Sequence, residues 1–250
     1  MESPSTAITG WLVLQLSLAA GLLASIFFLG HSYSLYDDAY IYFTYAENAA
    51  RGCGLAFRCD ETPPVEGFTS PLYMLLLLLG RALTSDLETV SQVIGFLSVC
   101  ITIVLGALIA ARALQEARLA KGLRIAATWG LVLVFGLDGY LLVNTVIGMD
   151  TGLACAASMW LLWAATRPGA RSRWLGPALL LSVLSRPECV LLLPLALAHP
   201  AGLSFRTWLP LLIGGALLLG ARLLYYGDVL PNTYYAKSGG TARHAALGLE

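Results

Sequence analysis

Asp37 and Asp38 are the first carboxylates after a long apolar run, and they are adjacent. Two neighbouring carboxylates repel each other, so the pair calls for a cation, a shared proton or a substrate with transferable protons. The plainer reading is a solvated loop start, with Asp38 capping a helix that continues to Ala50. One further charged position attracts notice because it interrupts an apolar stretch. Arg186 lies with Pro187 and Glu188 inside the apolar segment 174–198. A guanidinium among apolar half-helices costs several kcal/mol unless it is paired or solvated. Its partner is Glu188, a backbone carbonyl or a bound phosphate, whose oxygens match the guanidinium fork.

These residues are set among segments built for an apolar medium. The chain has 250 residues, 58% hydrophobic and only 12% charged, with a mean hydropathy of +0.74. That composition points to an all-α, polytopic membrane helical bundle. Residues 9–30 lack Asp, Glu, Lys and Arg and form a first span. The zero net charge and the lack of a basic run, zinc spacing or phosphate-cradling glycine loop argue against a nucleic-acid partner. His31, His199 and His244 have no metal-binding spacing. Cys100, Cys155 and Cys189 lie in apolar runs, whereas Cys53 and Cys59 share one polar segment and could close a small disulfide loop outside the cytoplasm.

Further spans are expected near 89–111, 125–145, 151–166 and 207–224. The apolar segment 71–83 is short and decides the topology. If it crossed, Arg112, Arg118, Lys121, Arg124, Arg167, Arg171 and Arg173 would all lie in external loops, against the positive-inside rule. An interfacial or re-entrant 71–83 makes those loops cytoplasmic. The module then divides into a first span at 9–30, an external loop at 31–88, membrane helices over 89–224 and an external tail at 225–250. Proline 187 favours breaking 174–198 into two half-helices, which leaves Arg206 cytoplasmic. Asp37, Asp38, Glu66, Asp150 and most other acids then fall outside. Tyr40, Tyr42, Phe43 and Tyr45 read as aromatic anchors at the outer membrane surface, with faces that could also stack on sugar rings. Asp138 reads as the outer end of its span.

Four segments carry a family resemblance in the same order along the chain: DDAYIYFTYAENAARGCGLAF with VEGFTSPLY, VIGMDTGL, SRPE, and YYGDVLPNTYYAK. They resemble the N-terminal module of GT-C membrane glycosyltransferases, and most of all the bacterial arabinofuranosyltransferase-like branch. The departures are Asp150 where Glu is commoner, Gly152-Leu153 in place of a step with proline, and Cys59-Asp60 where small turn residues are common. The resemblance implies a GT-C-like fold in the bacterial plasma membrane, with its active face outside the cytoplasm. It implies transfer of a sugar, a pentofuranose being the nearest case, from a polyprenyl-phosphate donor to a glycan, lipid or protein acceptor. Carried over, Asp37 or Asp38 would activate the acceptor hydroxyl, and Asp150 would help position it or bind a metal. If a divalent cation takes part, Asp37 and Asp38 would hold it. Arg186 and Lys237 would meet the donor phosphate, with Tyr40, Glu66 and Glu188 contacting substrate. Members usually continue into further spans and an external domain, so the resemblance covers their N-terminal module. The rival expectation is a non-enzymatic protein, an ion-coupled transporter or an envelope or motility assembly factor that keeps the scaffold.

Overall fold

The computed structural model describes residues 35–233, apart from 61, 118–119, 121, 124–125, 128, 131–132, 135–137 and 168–172. The expected first span at 9–30, residues 125, 128, 131–132 and 135–137 of the expected 125–145 span, and Lys237 lie outside the described residues. Every regular element among the described residues is helical.

Helix α1 (Asp37–Ala50) begins with its two acids in the first turn, where the positive end of the macrodipole favours them. No side chain caps it, so Asp38 lies inside the helix and is not its cap. Gly52 and Gly54 adopt positive φ and turn the chain out of the helix, as expected of their positions. Ala39, Tyr42, Phe43, Tyr45 and Ala46 recur at helical spacing and are buried with Phe68, Tyr73, Met74 and Leu77. This corrects the reading of the aromatic cluster as surface anchors. Tyr42, Phe43 and Tyr45 form the core beneath the acidic end, and only Tyr40 is exposed.

The following loop is stapled by the expected disulfide, Cys53–Cys59. Asn48 Nδ2 donates to the carbonyls of Ala56 and Phe57 at 3.0 and 2.8 Å. The Tyr45 hydroxyl donates to Val65 O and accepts from the Gly67 N–H. These bonds satisfy loop backbone that would otherwise be buried unpaired. Helix α2 (Pro71–Arg81) starts from Ser70, whose hydroxyl accepts from the Tyr73 N–H, with proline tolerated in the first turn. It buries Tyr73, Met74 and Leu77 and exposes Leu75 and Leu79 on its other side.

Helix α3 (Leu87–Glu116) is about 45 Å long at 1.5 Å per residue. A short α4 (Gly139–Val143) is capped by Asp138, which accepts from the Leu141 N–H at 2.6 Å. Helix α5 (Thr151–Ala165) lies along α3, and α6 (Leu175–Ser185) packs against α5 and α2. Contacts run from Gly95 with Gly152 to Arg112 with Trp163, so α3 and α5 are parallel. Asp150 meets Arg186, and Ser182 Oγ donates to Ala157 O, so α5 and α6 are antiparallel.

The chain breaks at Arg186, as proline 187 predicts. The return is not a second α half-helix but a 3-10 turn (Pro187–Leu192), α7 (Leu193–Ala198) and another 3-10 turn (Pro200–Leu203). Helix α8 (Phe205–Tyr225) then runs back along α6, crossing it closely where Gly176 faces Thr207 O. Two helices, 87–114 within α3 and α8, are long and apolar enough to cross a membrane. Leu212, Ile213, Leu217 and Leu224 of α8 face outward, and its buried residues are Thr207 and Arg222 near its two ends.

Arg222 fastens α8 to the stapled loop. Its Nη2 donates to Glu66 Oε1 at 2.9 Å, while Nε lies 2.8 Å from Oε2 without hydrogen-bond alignment. Both side chains are buried, and burial pushes the Glu66 carboxyl up despite its partner. Desolvation therefore outweighs the attraction here, which decides how the pair responds to substitution. Glu66→Gln should lower stability by about 3–5 kcal/mol, because it leaves a buried cation unpaired. Glu66→Leu combined with Arg222→Met should recover most of that loss. Thermal unfolding in detergent checks both, and a double variant no better than the single one would contradict the assignment.

Candidate functional site

The start of α1, the loop before α5 and the end of α6 meet at one end of the bundle. The Tyr36 N–H donates to Ile147 O at 3.1 Å, which docks the loop 146–150 against the first turn of α1. Gly148 makes this approach. Its φ is +73, and a Cβ there would crowd Leu35, Ala39 and Ser91. Its carbonyl also accepts from the Tyr73 hydroxyl at 2.7 Å. Two residues later, Asp150 begins α5 and is 1% exposed.

Asp150 is held by Arg186. Nη2 donates to Oδ1 at 2.7 Å and Nε to Oδ2 at 3.2 Å, with Nη2 also reaching the Thr151 hydroxyl at 3.1 Å. This is the forked, charge-assisted arrangement in which arginine excels. The expected partner Glu188 is exposed and acts on Arg186 only through its charge. Arg186 is 35% exposed, and Nη1 is engaged by neither Asp150 nor Thr151. The pair is closed on the protein side and open on one side of the guanidinium.

Tyr42 and Tyr73 stand edge to face behind Asp150, with ring centroids 5.1 Å apart. Burial, and then the charge of Asp150, pushes the Tyr42 hydroxyl up to about 12. The same causes raise Tyr73. Tyr42 therefore stays neutral around Asp150, accepting from the Ser70 N–H at 3.2 Å.

Asp37 and Asp38 are exposed at the start of α1, and neither forms an ion pair among the described residues. Tyr40 lies one turn on from Asp37 and donates to Glu88 Oε1 at 2.9 Å, so its hydroxyl is occupied. Among the described residues no three His, Cys, Asp or Glu side chains converge. Asp37 and Asp38 thus gain no third acidic or imidazole donor for a metal from this set. Glu66 is not beside Asp150, but in the Arg222 pair on the stapled loop.

Compared with protein-family models, curated proteins and solved structures, the chain matches none. Of the residues singled out from sequence, the structure joins Asp150 with Arg186 and docks the Asp150 loop beside the start of the helix bearing Asp37 and Asp38. Tyr73, Thr151 and Arg222 were missed, and Tyr42 was read as a surface anchor. The α5–α6 hairpin itself held a signal for the main pair, since antiparallel helices joined by one loop bring the start of the first to the end of the second.

The raised Tyr42 value has a stability consequence of definite sign. Below its ordinary 10.0 the neutral phenol is favoured in both states, and the fold keeps its full benefit. As pH rises from 10.0 toward about 12, unfolded Tyr42 ionises first and stability falls, by about 2–3 kcal/mol in all. Tyr42→Phe should flatten the alkaline limb of a stability-versus-pH curve in detergent. An unchanged slope would show that the phenol is not held neutral by this environment.

Proposed function

We propose that this chain is a polytopic membrane glycosyltransferase module of the GT-C kind. It moves a sugar, a pentofuranose in the nearest case, from a polyprenyl-phosphate donor to a glycan, lipid or protein acceptor outside the cytoplasm. One observation carries the reading: docking of the 146–150 loop on α1 gathers exposed Asp37-Asp38 and the Arg186–Asp150 pair at one end of the bundle.

In this reading, the acceptor hydroxyl gives its proton to Asp37 or Asp38. Its oxygen bonds to the anomeric carbon as the bond from that carbon to the phosphate oxygen breaks. The departing electron pair stays on the polyprenyl phosphate, and the open side of Arg186 receives that charge. Asp150 acts through Arg186 as a positioning residue. A donor with a membrane-embedded tail suits a site at the end of apolar helices. The opposite end carries Arg112, Arg167 and Arg173, which by the positive-inside rule faces the cytoplasm of a bacterial plasma membrane. The Cys53–Cys59 staple agrees with an oxidising exterior for the acidic end.

A second reading is an ion-coupled carrier, favoured by the break in the helix at Arg186 and by its neutralised ion pair. Purified protein is incubated with radiolabelled polyprenyl-phosphate sugars and an acceptor, comparing wild type with Asp37→Asn, Asp38→Asn and the double variant. The double variant should lose transfer by at least about 100-fold. Transfer that survives it would sink the transferase mechanism, and uptake into vesicles without transfer would favour the carrier.

A further inference from the structure

The end of the bundle remote from Asp37 and Asp38 holds a cluster that the proposed reaction leaves unused. Trp163, near the end of α5, is flanked by two guanidiniums: Arg167 lies 4.1 Å from the ring centroid and Arg112 of α3 lies 5.6 Å from it. The two cations are therefore within about 10 Å of each other, close enough to repel. Neither has a carboxylate at ion-pair distance among the described residues, although Glu116 is only four residues from Arg112. Two buried donors here lack an acceptor, Arg112 Nη1 and the Trp163 indole Nε1. A buried donor left unpaired is costly, so two in one cluster of like charges need an explanation.

The surroundings narrow the class of acceptor. Arg173 lies over Trp174 at 5.0 Å, and Trp174 contacts Trp160 at 6.0 Å, so aromatic rings and arginines alternate around this end. The Trp208 indole is satisfied by Gly202 O at 2.8 Å and His199 Nε2 meets Arg167 O at 2.9 Å. Neither supplies an acceptor to the unpaired donors. An anion with several oxygens would take hydrogen bonds from both guanidinium forks and from the indole, and would remove the repulsion. The apolar helices α3 and α5 run from this point into the bundle, which suits an anion carried on acyl chains.

We propose that Arg112, Arg167 and Trp163 form a binding site for the phosphate headgroup of an anionic membrane lipid in the cytoplasmic leaflet. The proposal rests on the membrane orientation given above, but not on the transferase reaction.

The test uses the whole purified protein in nanodiscs or mixed micelles. Binding of phosphatidylglycerol, phosphatidylcholine and inorganic phosphate is compared by native mass spectrometry and by the shift in unfolding temperature. Phosphatidylglycerol should bind and stabilise, whereas phosphatidylcholine and inorganic phosphate should do so at least tenfold less well. Arg112→Gln and Arg167→Gln should each weaken phosphatidylglycerol binding about fivefold. Lysine at either position should restore part of it, which a purely structural role for the arginines would not produce. Arg206→Gln, on the exposed first turn of α8, serves as a control for general surface charge and should have little effect. Equal binding of phosphatidylglycerol and phosphatidylcholine would overturn the proposal, as would losses in Arg206→Gln matching those in Arg112→Gln and Arg167→Gln. Binding of inorganic phosphate as strong as that of the lipid would overturn the lipid assignment in favour of a soluble anion. Because none of these readouts involves sugar transfer, the proposal and the proposed reaction fail separately.

Discussion

The ion pair between Asp150 and Arg186 sets the register on which the rest of the bundle depends. Arg186 ends α6 in an extended conformation (φ −154, ψ 133), because Pro187 disfavours helix in the residue before it. A charged fork at the end of an apolar helix must find a counter-charge, and among the described residues the acid it grips is Asp150, at the start of the neighbouring helix. The pair therefore fixes how far α6 slides along α5. The start of α5 fixes the loop at 146–150, which in turn receives the first turn of α1 and the hydroxyl of Tyr73. One electrostatic requirement thus propagates from two apolar helices to the acidic end of the molecule.

Two ion pairs at this end have different characters, and burial separates their tasks. Glu66 and Arg222 are closed off from solvent, and they join the stapled loop to α8, which otherwise shows mostly apolar side chains to its surroundings. Tyr226 adds a second tie by donating to Leu55 O at 2.9 Å. Arg186 keeps a side open while its other side is held, so it can meet an anion without leaving its place. A closed pair serves as a fastener. An open one can serve a ligand.

Legibility followed the range of the physical signal. The stop at Gly52 and Gly54, the break at Pro187 and the small disulfide loop were readable because each depends on local backbone chemistry. So was the segregation of charge: Arg206 lies toward the Arg112 and Arg167 end, as the broken 174–198 segment requires. The aromatic run of α1 was misread because composition does not distinguish a membrane anchor from a core. Burial of Tyr42, Phe43 and Tyr45 depends on Phe68 and Tyr73, which arrive from a later loop and helix. The partner of Glu66 was invisible for the same reason, and that of Arg186 could be reached only through the pairing of α5 with α6. Glu188 lies close in sequence, but Asp150 is 36 positions away and Arg222 is 156 positions from Glu66.

The contrast among the acids at this end bears on which of them could exchange a proton. Asp150 and Glu66 each face a guanidinium, and protonating either would leave a cation without its partner. Asp37 and Asp38 have no such partner among the described residues, and they stand in the first turn of a helix whose dipole tolerates their charge. They can accept a proton without breaking a tie that the fold needs. Burial and pairing therefore divide the acids into those that hold the scaffold and those that carry no such tie among the described residues. The doublet that is easiest to find in the sequence is also the one whose protonation costs the structure least.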